Sequence, residues 1–552
     1  MKAFKTPLIV FLVCFLLMNL STRLGLRLDL TTDQRYSLSN ATLTQLKSLE
    51  KPLRIDVFLA GDLPGLYREF RSELDVFLNQ LEYHSDQIVV QYNDPFELGS
   101  NETVVSEMQQ YGMTPEIVIE TKDGQRSESL VFPWMLINYG KVSERISLLN
   151  KQLGDTDQDK ISRSIQQMEY RIADGIGKVT RMEKPSIAVL TSHQTSENIK
   201  LADFVQSLRP YYNIASFDLK NAEVGPVQSL QNLNRFKTLL ISNPTLAFTQ
   251  EEKYLLDQYS LQGGGILWLV NGVGIDRDSL FNDAGKAYGF PLELNLDDYF
   301  FNQGVRINKS LVRDLYCAPI VLASGSENNT QFIPYPWPYY PLPKPNSNLI
   351  GNQIGPVLTQ FTSPLDTLKN TLDTKVVLQT SAFSKTAGVP VSLSLAQATE
   401  KIQPSLYDEP TKILGVLVEG KQQSLFANRI LPIKNPTHLN EGQTKSIIFG
   451  DGNFAENQID KGTPLQLGYD KWTNNFYANK ELLMHAVHYL SGNLEGLLIR
   501  QKEWNLAYLD VQKIEAKMGF LKTLMLLSPL LFVFCLGWFN QRRRSKHLRL
   551  DC

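Results

Sequence analysis

Residues Phe236–Val270 read FKTLLISNPTLAFTQEEKYLLDQYSLQGGGILWLV. Phe236–Ser242 is an apolar run of strand length, Thr249–Gln262 reads as a helix, and Gly263-Gly264-Gly265 opens a second strand, Ile266–Val270. Upstream, Pro185 restarts the chain, Ile187–Leu190 and Ile214–Leu219 read as strands, and Asn198–Leu208 between them reads as a helix. Strands alternating with helices predict a parallel, doubly wound sheet. Such sheets place their sites at the carboxyl ends of the strands, so chemistry is sought in those turns.

The turns are poor in catalytic groups. Thr191-Ser192-His193-Gln194 follows the first strand, and a Ser beside a His invites a hydrolase reading. Adjacency is not a nucleophile–base geometry, and no strand–turn–helix glycine elbow surrounds Ser192, so helix capping is the better expectation. The triple glycine precedes a strand, whereas phosphate-cradling loops follow one and open a helix; it is expected to stop the helix and turn the chain. Gly272-Val-Gly274 follows a strand but lacks a third glycine.

From about residue 295 to 445 the alternation dissolves. Ile333–Pro345 holds six prolines interleaved with aromatics, which predicts an extended polyproline-like stretch. Exposed Trp337, Tyr339 and Tyr340 would make a partner-docking strip, since such residues dominate interface hot spots. The alternative is that the rings pack onto their own domain, and the sequence leaves both open. Val376–Leu378 and Ile413–Glu419 read as further strands. The α/β pattern then returns: Lys445–Gly450 is a strand leading into Asp451-Gly-Asn-Phe-Ala-Glu-Asn457, and Asn479–Leu490 is an amphipathic helix. These are expected to complete the sheet begun at Ile187, giving one α/β domain over 184–492 with an accessory β-rich insertion at about 300–440. Asp451, at a strand end, is the strongest lone candidate for a polar site, although capping of its turn explains it equally well. His485 and His488 share a helix at i, i+3, but no acidic or cysteine partner stands at ligand spacing, so no metal or other cofactor is assigned.

The preceding segment, 29–180, reads as strand Leu53–Leu59, helix Leu66–Tyr83, strand Ile88–Tyr92, helix Glu102–Tyr111, and a hairpin of Pro115–Glu120 with Ser127–Phe132 across Asp123-Gly124. This order, with a proline before the third strand, resembles a thioredoxin-like fold. No cysteine follows the first strand, where Gly61-Asp62-Leu63-Pro64 occupies the relevant turn, so the expectation is a binding or spacer module without redox chemistry. Asp155, Asp157 and Asp159 copy the opening of a calcium loop, but Lys160 and Gln166 stand where glycine and the bidentate Glu belong. They are read as the acidic start of a helix, favoured by its dipole.

Both ends of the chain are apolar. Pro7–Leu20 lies between Lys2 and Lys5 on one side and Arg23 and Arg27 on the other, and the following Met18–Thr22 is a poor cleavage site, so residues 1–28 are expected to be a retained anchor. Thr523–Phe539 carries no charge, and a bilayer core about 30 Å thick needs roughly 17–25 such residues, so 519–540 is expected to span a membrane. Arg542, Arg543, Arg544, Lys546 and Arg549 then place the basic tail, 541–552, in the cytoplasm. Residues 493–518 read as a helical stalk. With both ends inside, the body between them is exported. The composition of the whole chain, 43% hydrophobic and 20% charged, is that of ordinary globular protein, and its net charge of −2 gives no reason to expect nucleic acid. Of four cysteines only Cys317 lies in the body, so no disulfide within it is available.

The two anchors, Arg35-Tyr-Ser-Leu-Ser39, Trp337-Pro-Tyr-Tyr-Pro-Leu342, Gly450-Asp-Gly-Asn-Phe-Ala-Glu-Asn457, Leu467-Gly-Tyr-Asp-Lys471 and the basic tail occur in an order that spans nearly the full length. In these the chain resembles the GldG family, the gliding-motility-associated auxiliary ("substrate-binding") components of ABC transporters in Bacteroidetes bacteria. The resemblance implies an inner-membrane protein with a periplasmic body, partnered by a permease and, through it, a cytoplasmic ATPase. It also implies an α/β region similar to a domain of an intraflagellar transport protein and, distantly, to class I glutamine amidotransferases. The amidotransferase thiol has no counterpart, since Cys317 is not in a strand–elbow–helix context. The resemblance carries no ligand residues. A non-catalytic coupling subunit is therefore expected first, a solute receptor with a pocket between the α/β core and the accessory region second, and a hydrolase using Ser192, His193 or Asp451 third. Pro529, which frees a carbonyl inside the carboxyl-terminal apolar helix, is the expected contact with the permease.

Overall fold

The computed structural model describes residues 37–122, 125–150, 155–221, 223–282, 285–324, 330–501 and most positions of 517–538. The proposed amino-terminal anchor, most of the stalk and the basic tail lie outside the described residues. The chain divides into a body, 1–503, and a carboxyl-terminal segment, 504–552. In the latter, 517–520 and 522–529 are helical. Among the described residues no helix is long and apolar enough to cross a membrane.

The body opens with α1 (Asn40–Lys47), capped by the Ser39 hydroxyl. Then come β1 (Leu53–Val57), α2 (Gly65–His84), β2 (Ile88–Tyr92), α3 (Asn101–Gln110), β3 (Glu116–Lys122), β4 (Gln125–Val131), β5 (Trp134–Tyr139), β6 (Val142–Ser147), α4 (Asp157–Gln166) and α5 (Met168–Thr180). The first sheet has the order β2-β1-β5-β6, parallel between β1 and β2 and antiparallel elsewhere. Tyr67, Phe70, Leu74, Phe77, Leu78 and Leu81 form the buried stripe of α2, the spacing of an amphipathic helix. The expected hairpin forms as β3 and β4, but it is a separate two-stranded ladder. The sheet is completed instead by β5 and β6, and the proline before its third strand is Pro133 rather than Pro115. The acidic run behaves as a helix start: Thr156 and Asp159 form a reciprocal cap on α4, and Asp157 and Asp155 pair with Lys160 and Arg163.

The second sheet is built from β7 (Ser186–Leu190), α6 (Ala202–Leu208), β8 (Asn213–Phe217), α7 (Pro226–Leu233), β9 (Thr238–Ser242), α8 (Gln250–Leu261) and β10 (Gln262–Leu269). The accessory region contributes β11 (Val273–Ile275), β12 (Lys286–Pro291), α9 (Asp297–Asn302), β13 (Val305–Ile307), β14 (Ser310–Asp314), β15 (Cys317–Ser324), β16 (Gln331–Pro341), β17 (Leu365–Thr367), β18 (Asp373–Gln379), β19 (Ser384–Gly388), β20 (Val391–Ser394) and β21 (Ile413–Gln423). After β22 (Glu441–Phe449) follow α10 (Asn479–Leu490) and α11 (Glu495–Ile499). The sheet runs β13-β17-β21-β22-β10-β9-β7-β8, with β18 also pairing β21. From β22 to β8 every pairing is parallel. The last predicted strand does complete the parallel set. One apolar layer packs Phe204, Leu208, Leu482, Leu483, Ala486 and Leu490 of α6 and α10 against the sheet; a second packs Leu230, Leu233, Tyr254 and Leu255 of α7 and α8. The triple glycine begins β10, where a side chain at Gly264 would collide with the Tyr259 ring and one at Gly265 with Leu490.

The accessory region does not stand wholly apart, because β13, β17, β18 and β21 extend the main sheet on its antiparallel side. The remaining strands form small ladders: β11-β12-β20, β14-β19 and β15-β16. The polyproline-like expectation is corrected here. Residues 331–341 are the strand β16, paired with β15. Prolines at 334, 336 and 338 recur with a period of two, so their missing N–H groups fall on one edge and the ladder keeps its donors on the other.

Candidate functional site

The parallel strands end side by side, and the turns after them carry polar groups: Ser192 and His193 after β7, Asn243 after β9, Asn271 after β10 and Asp451 after β22. Asn243 adopts a left-handed φ of +52°. Its Oδ1 accepts from Asn271 Nδ2 at 3.0 Å, and Asn271 Oδ1 accepts from the Gly452 amide at 2.7 Å. Only glycine fits at 452, since a Cβ there would lie 2.6 Å from Asn243 Oδ1.

Asp451 is 2% exposed. Its Oδ2 accepts from the Gln360 amide at 2.8 Å and its Oδ1 from the Asn453 amide at 2.9 Å. Burial pushes its carboxyl up to about 7, against the opposing pull of those amides and of Arg277. Arg277 Nη2 donates to Glu456 Oε2 at 2.8 Å, and Glu456 Oε1 accepts from Ser196 Oγ at 2.8 Å. A cavity of about 190 Å³ opens at this edge, lined by Arg277, Gln360, Asp451, Glu456, Asn457 and Tyr469. Arg277 and Gln360 come from the accessory region and the other four from the segment after β22, so the cavity lies between the two. Its chemistry is that of hydrogen bonding to a polar ligand, with one carboxyl poised near neutrality.

The structure also brings Ser192 and His193 into contact. His193 Nδ1 lies 3.0 Å from Ser192 Oγ, and its Nε2 lies 3.1 Å from Glu252 Oε2. The ring stacks on Phe248 at 3.8 Å. All three polar residues are buried, and Ser192 Oγ also accepts from the Leu219 amide. Burial raises the Glu252 carboxyl, but hydrogen bonds from His193 and Thr249 outweigh it and bring it down to about 2. Glu252 caps α8 reciprocally with Thr249. The chain thus ties the turn after β7 to the start of α8. Relative to a serine-hydrolase triad the ring nitrogens are exchanged, since there Nε2 serves the serine and Nδ1 the acid.

His485 and His488 do not converge. His485 Nδ1 meets the Ile350 carbonyl at 2.9 Å and its Nε2 meets Arg500 Nη1 at 3.0 Å, while His488 Nδ1 meets the Tyr212 hydroxyl at 2.7 Å. Among the described residues no group of three or more His, Cys, Asp or Glu could hold a metal. Burial raises the Cys317 thiol to about 11, far from a reactive thiolate. Trp337 and Tyr339 are 1% and 3% exposed, packed with Leu311, Ile320, Phe361 and Leu393, and Tyr340 packs against the same cluster. Of the two alternatives the sequence left open, these rings pack onto their own domain. Pro529 lies among the helical positions of the carboxyl-terminal segment, which include 528 and 531.

Sequence reasoning singled out Asp451 but missed Asn243, Asn271, Arg277, Gln360 and Glu456. The first two were findable, because each directly follows a predicted strand of the parallel set. Arg277 and Gln360 directly follow no predicted strand of the parallel set and carried no such signal.

Residues 184–486 match the family model described as an ABC-type uncharacterized transport system, ABC_transp_aux. That is more than half of the chain, and the protein belongs to this auxiliary ABC-transport family. Residues 32–138 match a domain of unknown function, DUF7088. No curated protein matches. Among solved structures, the mmIFT52 N-terminal domain aligns over 55% of this chain and 97% of its own, at 14% identity and a TM-score of 0.32.

Proposed function

We propose that this protein is a membrane-anchored, non-catalytic auxiliary component of an ABC transporter serving gliding motility. Its body is periplasmic, and its anchors meet the permease, through which it is coupled to the cytoplasmic ATPase. Family membership supports the transporter role. The observation that carries the non-catalytic reading is the carboxyl edge of the sheet. There Asp451 uses both oxygens on backbone amides, and Ser192 Oγ is held by His193 Nδ1 and the Leu219 amide. The β2-β1-β5-β6 order supports the thioredoxin-like reading of the first domain. The parallel strands with helices on both faces support the doubly wound reading of the second, whose amidotransferase-like kinship rests on the sequence resemblance. Membrane anchoring rests on the uncharged run 523–539 and the basic tail.

The test is recovery of the intact protein from membranes with its companions identified. Co-purified permease supports the proposal, and its absence under mild detergent overturns it. Pro529→Leu is expected to weaken that recovery; unchanged recovery would return 519–540 to a plain tether. The solute-receptor reading is favoured by one feature, the cavity between core and accessory region. Saturable calorimetric binding of a small polar solute, lost in Asp451→Ala, would promote it over the coupling reading.

A further inference from the structure

In the small ladder β14-β19 the register sets Arg313 directly opposite Lys385. Like charges so placed repel. Both are half-buried, and among the described residues no acidic side chain pairs with either. They share aromatic faces instead: the Arg313 guanidinium lies 5.0 Å from the Tyr339 ring and 5.6 Å from Tyr407, and Lys385 Nζ lies 4.6 Å from Tyr407. Such contacts are worth only about 0.5–2 kcal/mol and leave the N–H donors unused.

The nearby acids are committed elsewhere or exposed. Asp314 accepts from the Ser381 hydroxyl and amide and from the Tyr316 amide. Glu409 accepts from Thr386 and pairs with Lys412 at 3.0 Å. Asp408 is exposed. Burial, and next the charge of Arg313, lower the Lys385 pKa, with Glu409 and Asp408 opposing.

The same cluster holds orphaned polar atoms. Tyr407 is 3% exposed and its hydroxyl proton has no acceptor, the neighbouring Arg313 guanidinium being itself a donor; Arg313 Nε is likewise buried and unpartnered. Trp337 Nε1 is a third orphan donor, on a ring 5.4 Å from Tyr339. Buried donors are normally satisfied, and several beside two cations that no carboxylate pairs with have the chemistry to receive an anion.

We propose that Arg313, Lys385 and the Tyr407 hydroxyl bind a small anionic group of carboxylate or phosphate type. The guanidinium supplies a planar fork, the ammonium a second charge and the hydroxyl a third donor. This site is separate from the cavity at Asp451 and stands whether or not the transporter proposal does.

The experiment is thermal unfolding and calorimetry of the full-length protein in detergent, titrated with sodium phosphate or sodium acetate at ionic strength held constant with sodium chloride. Saturable stabilisation is expected from at least one probe. A phosphate response alone assigns a phosphate-type group, and an acetate response a carboxylate. Arg313→Gln/Lys385→Gln should weaken binding at least tenfold. Tyr407→Phe, which keeps the ring and the fold, should weaken it several-fold and serves if the double variant does not fold. No response to either probe beyond chloride, or equal responses in wild type and Tyr407→Phe, would overturn the proposal.

Discussion

Asp451 titrates in the opposite sense to most carboxylates in a folded protein. Its pKa of about 7 lies above the ordinary 3.8. Between the two the folded chain keeps a proton that the unfolded chain has released, so stability falls as pH rises from about 4 to about 7. At ~1.4 kcal/mol per unit the loss is at most about 4 kcal/mol. Asp451→Asn cannot titrate, but its Nδ2 must face one of the amides of Gln360 and Asn453, at a cost of about 1–3 kcal/mol. Urea unfolding should therefore show the wild type ahead at pH 5, with the gap closing by pH 8; a gap independent of pH would contradict this account. At this scale the sequence could name Asp451 from its place after a strand. It could not say that two amides and an accessory-region arginine would surround it, because those contacts join residues far apart in the chain.

Elements were legible where periodicity and flanking turns agreed. The parallel strands from Ile187 onward and their closing by Lys445–Gly450 were visible because buried strands are short, apolar and alternate with helices. The strand β16 was misread because its prolines spoke for polyproline, while the period of two that makes an edge strand possible spoke more quietly. In the first domain β5 went unnoticed, although its buried and half-buried residues alternate along Trp134–Tyr139. The junction of β22 with the accessory region has its own requirement. The Gly450 amide donates to the Leu414 carbonyl, its carbonyl accepts from the Ser363 amide, and a Cβ at 450 would run into the Ser363 carbonyl. Gly450→Ala should cost about 1–3 kcal/mol in a chemical denaturation curve, and an unchanged midpoint would show the junction to be loose.

For the whole molecule, the way the chain leaves the body matters as much as the sheet. Arg500 falls in the segment 493–518 read as a helical stalk, and it is 2% exposed. It pairs with Glu481 at 2.5 Å, meets His485 at 3.0 Å and donates to the Gln353 carbonyl at 3.0 Å. No local pattern signals this, because Glu481 and His485 lie on α10 and Gln353 in the irregular region. Arg500→Met would strand Glu481 and should destabilise the body by about 3–5 kcal/mol; limited proteolysis should then cut near residues 495–501 sooner than in the wild type. The position of Arg500 also decides where mechanical load arrives. A pull applied at Gln501, the last described residue of the body, would meet this side chain, which hands it to α10. That helix packs on β10 and β22, in the middle of the large sheet. A pull there would so reach the most interior strands rather than an edge strand that could peel.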